Sequence, residues 1–448
     1  MAVIAFPSQD AVFQPIGHFV RLGEKSYRKV AELHATGRLK AKRFVVDASK
    51  ILYQRDIIKM LREAGAEVVL DPRTAELASK KYCAGYAKGA PWAPENQIEP
   101  LAPSAFAPGH FSDVYGQIAQ CAVKYQVDVV LAPTHFIGDP DFDGWFGIDR
   151  DGCVRLRAAL DAVGGQAIAI DYPLIAKLSD LADETKRMEI MAGLANLPFD
   201  NLWMRIATSG GVAGPITARN LVRTLAAWHN FGKPIIADYM GGLNAEALLS
   251  LNVISGHAHG LGERSSFKVD GWNKEPKKHD EEKQRGGGVR IEVSSFGRSF
   301  TQKEMTVLLS AHGAKSLLLP ADKAALPNGV SEIGSDARTL SAYEAERRFE
   351  AIAQTPTDKR PDVFAQSRMK EAVFDAGRAA RLNPKPEVAA EYEVDIVMLQ
   401  KRLKEAARQT GQLRSVYEDL AAEHLERGSV VRAINAPRQA TSPSATGS

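Results

Sequence analysis

The chain has few of the residues that staple a fold or anchor it. Its 448 residues hold three cysteines. Cys83, Cys121 and Cys153 stand far apart and match no metal or redox spacing, so no disulfide framework and no cysteine zinc site is expected. Neither sign of charge prevails: 57 Lys and Arg against 54 Asp and Glu leave a net +3. That bias neither points to nucleic acid nor excludes it. No apolar run approaches the roughly 18 residues of a membrane span. The opening MAVIAFPSQD lacks the basic start and long apolar core of a signal peptide. The early loops carry no dinucleotide glycine fingerprint, which disfavours a dehydrogenase. These absences lead us to expect a cytoplasmic, soluble protein. Its 45% hydrophobic residues are enough for one large domain with an appendage, or for two domains.

What the chain does have is a rhythm. From Arg43 onward a short apolar strand, a polar strand end and an amphipathic helix recur. Strands are expected at Arg43–Asp47, Glu67–Asp71, Val127–Pro133, Ala167–Asp171, Asn201–Ala207, Lys233–Asp238 and Val253–Ile254, with helices between them. The runs are continuous rather than alternating, as in a parallel sheet buried on both faces. About eight such units over roughly 280 residues have the size of a (β/α)8 barrel, a TIM-like α/β fold. A doubly wound open parallel sheet is the rival. Both Val289–Ser295 and Lys315–Pro320 read as strands, giving two claimants for the eighth place.

The implied organisation is a preamble over 1–42 packing on the barrel, a catalytic domain over 43–325 and a helical extension over 326–388. A heptad-patterned helix over 389–428 and a disordered tail over 429–448 follow. Three connections, 84–110, 136–152 and 261–288, are too long for plain turns and read as rim loops or lids. In the last helix, residues from Ile396 to His424 recur at spacings of three and four, a seam about four heptads long. It either docks along its own domain or pairs with a second copy or a partner.

Barrel sites gather at the carboxyl ends of the strands. Those ends bring Asp47, Asp71, His135, Asp171, Arg205, Asp238, His257 and His259 toward one mouth. Asp47, Asp171, Asp238 and His135 are candidates for acid–base work. Asp71 and Arg205 are substrate-binding candidates, together with two glycine-rich turns, Ser209-Gly210-Gly211 and Gly241-Gly242. Free N–H groups at helix starts beside an arginine suit an anion. Asn244 reads as the cap of the helix after Gly242. His257-Ala258-His259 puts two imidazoles on one face of a strand, where they can chelate a divalent metal with Asp238 supplying a carboxylate. Asp139, Asp141, Asp143 and Gly144 imitate a calcium loop, but Pro140 and Arg150 break the pattern. Trp92, Phe142, Trp145 and Phe146 either stack on a ligand or pack the loops down.

The stretch YMGGLNAEALLSLNVISG, 239–256, resembles a region of the queuine tRNA-ribosyltransferase family. There a Met-Gly loop precedes a helix and a strand carrying a nucleophilic aspartate. This chain has Ser255-Gly256-His257 at that point and lacks the family's Cys-rich zinc motif. The resemblance implies base exchange on a nucleic acid as an alternative. The main expectation is a barrel enzyme, a hydrolase or lyase, acting on a small polar, anionic substrate. A non-catalytic assembly module built on helix 390–427 is the remaining reading.

Overall fold

Eight parallel strands close on themselves in the computed structural model. It describes residues 12–24, 26–83, 86–95, 99–107, 113–138, 144–207, 214–228, 231–262, 267, 269, 272, 290–427 and 433–438. The strands are β1 (Gly17–Leu22), β2 (Arg43–Asp47), β3 (Glu67–Asp71), β4 (Val129–Leu131), β5 (Ala169–Lys177), β6 (Leu202–Ala207), β7 (Ile235–Asp238) and β8 (Gly256–His259). Each pairs with its neighbours in chain order, and β8 returns to β1 with His18 level with His257. This is a (β/α)8 barrel rather than an open doubly wound sheet.

The pleat sorts every strand into two faces. Phe19, Val45, Val69, Leu131, Trp203, Ile236 and Ala258 fill the barrel. Val20, Leu22, Phe44, Val46, Val68 and Leu70 pack outward beneath the helices. Both faces are dry, which explains why RFVVD and EVVLD carry almost no polar residue between their ends. Around the strands stand α1 (Tyr27–Ala35), α2 (Ile51–Glu63), α3 (Val114–Lys124), α4 (Trp145–Ala162), α5 (Glu184–Leu194), α6 (Pro215–Ala226) and α7 (Gly242–Ser250). The ring is completed by α8 (Ile333–Ala353), which packs between α7 and α1. Among the described residues no helix is long and apolar enough to cross a membrane.

Both claimants for the eighth strand are displaced. The missing strand is β1, inside the segment read as a preamble. GHFVRL hides because half its residues are glycine, histidine or arginine, yet all six are buried. Arg290–Val293 pairs only with Arg298–Thr301, forming the hairpin β9–β10 outside the barrel. Lys315–Leu318 lies in a short helix, Ala314–Leu318. Hairpin, short helices and the lower part of the C-terminal helices share a second core around Phe296, Phe300, Met305 and Leu340. An insertion therefore separates β8 from its helix α8, and 325 is not where the barrel ends.

The C-terminal region follows its pattern but not its partner. Helix α9 (Met369–Ala379) leads to the 32-residue α10 (Ile396–Arg427). The seam residues Leu399, Leu403, Ala406, Thr410, Leu413, Tyr417 and Leu420 are all buried against the chain itself. Tyr417 Oη also donates to Asn244 Oδ1 at 3.1 Å. The face a coiled coil would use is thus occupied internally. Asn244 lies within α7, whose N-cap is Gly241.

Part of the tail read as disordered is placed. Ile434 joins the barrel's inner core beside Phe19 and Trp203. The Asn435 carbonyl accepts from Arg43, and Arg438 N donates to Glu67 Oε2 at 2.7 Å. Residues 433–438 therefore close the bottom of the barrel.

Candidate functional site

Four of the strand-end residues meet at the mouth. Asp47, Asp71 and Asp238 end β2, β3 and β7, and Arg205 stands in β6, all facing inward. The residue that organises them is Arg21 of β1, which sequence reasoning missed. Arg21 Nε and Nη2 donate to the two Asp238 oxygens at 2.7 and 2.6 Å, and Nη1 reaches Asp71 at 3.0 Å and Asp47 at 3.4 Å. Arg205 bridges the same carboxylates, Nε to Asp238 at 2.7 Å and Nη2 to Asp71 at 2.6 Å. Burial alone would raise the Asp71 carboxyl, but Arg205, Arg21 and Arg73 outweigh it and hold it below its ordinary value. Tyr239, with φ +57°, caps the cluster with its ring 4.3 Å from the Arg21 guanidinium. Phe267, Val269 and Trp272 of the long loop pack over that ring.

Asp71 and Asp238 each accept from both Arg21 and Arg205. Arg205, cast as an anion clamp, already clamps two aspartates of its own chain. The mouth cluster is an internal ion network.

Asp171 stands elsewhere. It is the third residue of the nine-residue β5, not its end, because Tyr172, Leu174, Ile175 and Ala176 continue the buried run. Its carboxylate accepts from Trp203 Nε1 at 2.8 Å and from Asn201 Nδ2 at 2.9 Å, deep inside the barrel. Burial pushes it up to about 7 against those hydrogen bonds.

His135 follows β4 and turns toward α4. Its Nδ1 lies 2.6 Å from Asp149 Oδ1 while its backbone N donates to Asp149 Oδ2 at 2.8 Å. The ring stacks on Trp145 at 3.7 Å and meets the edge of Phe106 at 4.5 Å. Trp92, Phe106, Trp145 and Phe146 belong to the core under the helices, so these aromatics pack the loops down. Trp145 to Arg150 are helical, which removes the far half of the imagined calcium loop. Asp139, Asp141, Phe142 and Asp143, and the turn Ser209-Gly210-Gly211, lie outside the described residues.

The histidine pair faces away from Asp238. Ala258 points into the barrel with Asp238 level beside it. By the pleat His257 and His259 therefore point outward, and Asp238 cannot complete their ligand set. The residue that joins them is His18 of β1, with Nε2 3.0 Å from His259 Nε2. One ring nitrogen from each of the three lies within 4.8 Å of the others. Burial first, then the neighbouring imidazoles, holds His257 far below its ordinary value and His259 down at about 4. Both are neutral imidazoles at physiological pH, the form that binds metals.

These histidines form one wall of a cavity of about 140 Å³ between β8, α7, α8 and the β9–β10 hairpin. Gly241 and Gly242, Glu246, Arg290, Glu292, Glu344 and Arg348 line the rest. Gly242 has φ +61°, and a Cβ there would lie 3.3 Å from Glu292 Oε1, so glycine keeps the hairpin close. Glu292 is half-buried at the cavity, and its desolvation, with Glu246 and Glu344 beside it, raises its carboxyl to about 7. Glu246 is held by Arg368 at 2.6 Å, but Arg348 Nε and Nη2 are buried without a partner among the described residues. None of His18, Glu292 and Arg348 stood out in the sequence, because each borrows its neighbours from distant segments.

No family model and no curated protein matches the chain. Among solved structures, a mutant xylanase A of P fluorescens subsp. cellulosa in complex with xylopentaose superposes with a TM-score of 0.33 at 14% identity, covering 56% of this chain and 87% of that one. A likeness at that level carries no argument about the site. The barrel rests on its own strand pairing.

Proposed function

We propose that the protein is a barrel enzyme, of hydrolase or lyase type, acting on a small polar anion bound in the lateral cavity rather than in the barrel mouth. The observation that carries the reading is that Glu292 and Arg348 line one cavity, with Arg348 Nη1 held by Glu371 at 3.2 Å and its other donors left over. A carboxyl raised to about 7 takes and returns protons at neutral pH with little bias, which is what a general acid–base group needs. Two unpartnered guanidinium donors on Arg348 suit a carboxylate or phosphate, since a buried donor left unmade costs about 1–3 kcal/mol. The first turn of α7, at Gly241 and Gly242, borders the same space and adds positive potential. Asp47, Asp71, Asp238 and Arg205 act here as the rigid floor that holds β1, β7 and β8 in place.

The test is a thermal-shift screen of small phosphates and carboxylates against the wild type and Arg348→Gln. Compounds that stabilise the wild type and not the variant are ligands of this cavity. Glu292→Gln should keep their binding and lose their turnover, followed by proton NMR. If no anion distinguishes the wild type from Arg348→Gln, the reading fails.

A further inference from the structure

The histidine wall of that cavity carries a more specific assignment, which deepens the reading above but stands on its own geometry. His18 on β1 and His257 on β8 are level neighbours, and His259 is one pleat further along. The three rings are nearly parallel, with interplanar angles of 5° to 18°, and their centroids form a triangle with sides of 5.0, 5.1 and 5.2 Å.

The outer contacts orient the rings. His259 Nδ1 lies 2.9 Å from the Gly260 carbonyl, which can only accept, so Nδ1 carries the hydrogen. His18 Nδ1 lies 3.3 Å from Glu346 Oε1 in ion-pair range without a formed hydrogen bond, and that carboxylate is itself steadied by Ala41 N at 2.9 Å. The two Nε2 atoms face each other at 3.0 Å, the spacing of a hydrogen bond in which one of them carries the hydrogen. A divalent cation bound by these rings would displace that shared hydrogen, as metal binding to imidazole does. His257 adds a third imidazole whose Nδ1 is buried without a partner among the described residues.

We propose that His18, His257 and His259 form a mononuclear site for a divalent transition metal such as zinc, with one coordination position open to the cavity. One ring nitrogen from each histidine already lies within 4.8 Å of the other two, so modest ring rotations bring them to the roughly 3.4 Å spacing of nitrogens about 2.1 Å from one ion. Glu346 and the Gly260 carbonyl are the outer partners that fix ring orientation. His257 and His259 border the cavity together with Glu292, so the fourth position faces the proposed substrate space. Three protein ligands and an open position are the pattern of catalytic rather than structural zinc.

The probe is Co2+ or Zn2+ alone, added to the metal-stripped full-length chain without any anion. One equivalent is expected to bind, with the visible absorption of four- or five-coordinate Co2+. Affinity should fall at least about tenfold in Glu346→Gln, which keeps all three ligands, and further in His18→Ala and His259→Ala. Arg348→Gln should bind the metal as the wild type does, so failure of the anion reading leaves this result untouched. Circular dichroism shows which variants fold, and His257→Gln and Glu346→Gln serve if the alanine variants do not. A folded wild-type chain that takes up no stoichiometric metal overturns the proposal and leaves a proton shared by His18 and His259. Folded histidine variants that bind as well as the wild type overturn it too.

Discussion

Arg21 and Asp238 face each other across the barrel mouth as a two-pronged pair, Nε to Oδ1 at 2.7 Å and Nη2 to Oδ2 at 2.6 Å, with neither side chain exposed. The first strand is thereby tied to the seventh over the top of the short β8. Replacing one member removes a buried charge from a network that Arg205, Asp71 and Asp47 complete, and leaves that network unbalanced. Arg21→Met or Asp238→Asn should each cost about 3–5 kcal/mol in urea unfolding, while the double variant Arg21→Met with Asp238→Asn should cost less than their sum. A loss below about 1 kcal/mol in both single variants would show that the network is not structural.

Asp171 should make stability depend on pH in a definite direction. Burial raises its folded value to about 7, above the 3.8 of a free aspartate. The native state therefore holds a proton that the unfolded chain has released over that window. Its contribution is complete below the lower value and is lost as pH rises through about 7. Compared with Asp171→Asn, the wild type should lose unfolding free energy between about pH 4 and pH 7. Parallel pH profiles for the two proteins would refute the assignment.

The docked tail yields a third expectation. Ile434 is 4% exposed inside the barrel's inner core, and Arg43 and Glu67 meet the tail backbone. Truncation after Gly428 should lower stability by about 2–5 kcal/mol, the usual cost of emptying a large apolar site. It leaves the lateral cavity's walls intact, so a thermal scan should fall while anion shifts persist. An unchanged melting temperature would mean that the tail does not plug the barrel in solution.

The heptad seam shows how far pattern reading reaches. Spacing of three and four places Leu399, Leu403, Leu413, Tyr417 and Leu420 on one face whatever covers it, since periodicity describes a helix's own geometry. The helices and hairpin that cover it come from elsewhere in the chain, and nothing local names them. β1 was missed for the converse reason. Its His18 and Arg21 look like loop residues until Glu346, Asp238 and Asp71 are brought to them.

The sequence by itself determined the barrel grammar: continuous apolar strands, helices between them, and polar residues where the strands end. It also determined that Asp47, Asp71, Arg205 and Asp238 would converge, because parallel strands of one barrel share a rim. Only the tertiary structure decided what each of them does. Arg21 and Arg205 pair with the aspartates and tie the strands of the mouth together. The pleat turns His257 and His259 to the outer face, where His18, itself beside Glu346, meets them from the far end of the barrel sequence. Charge state and ligand sets depend on which groups lie within a few ångströms, and that distance is set by chain closure, which no local spacing records.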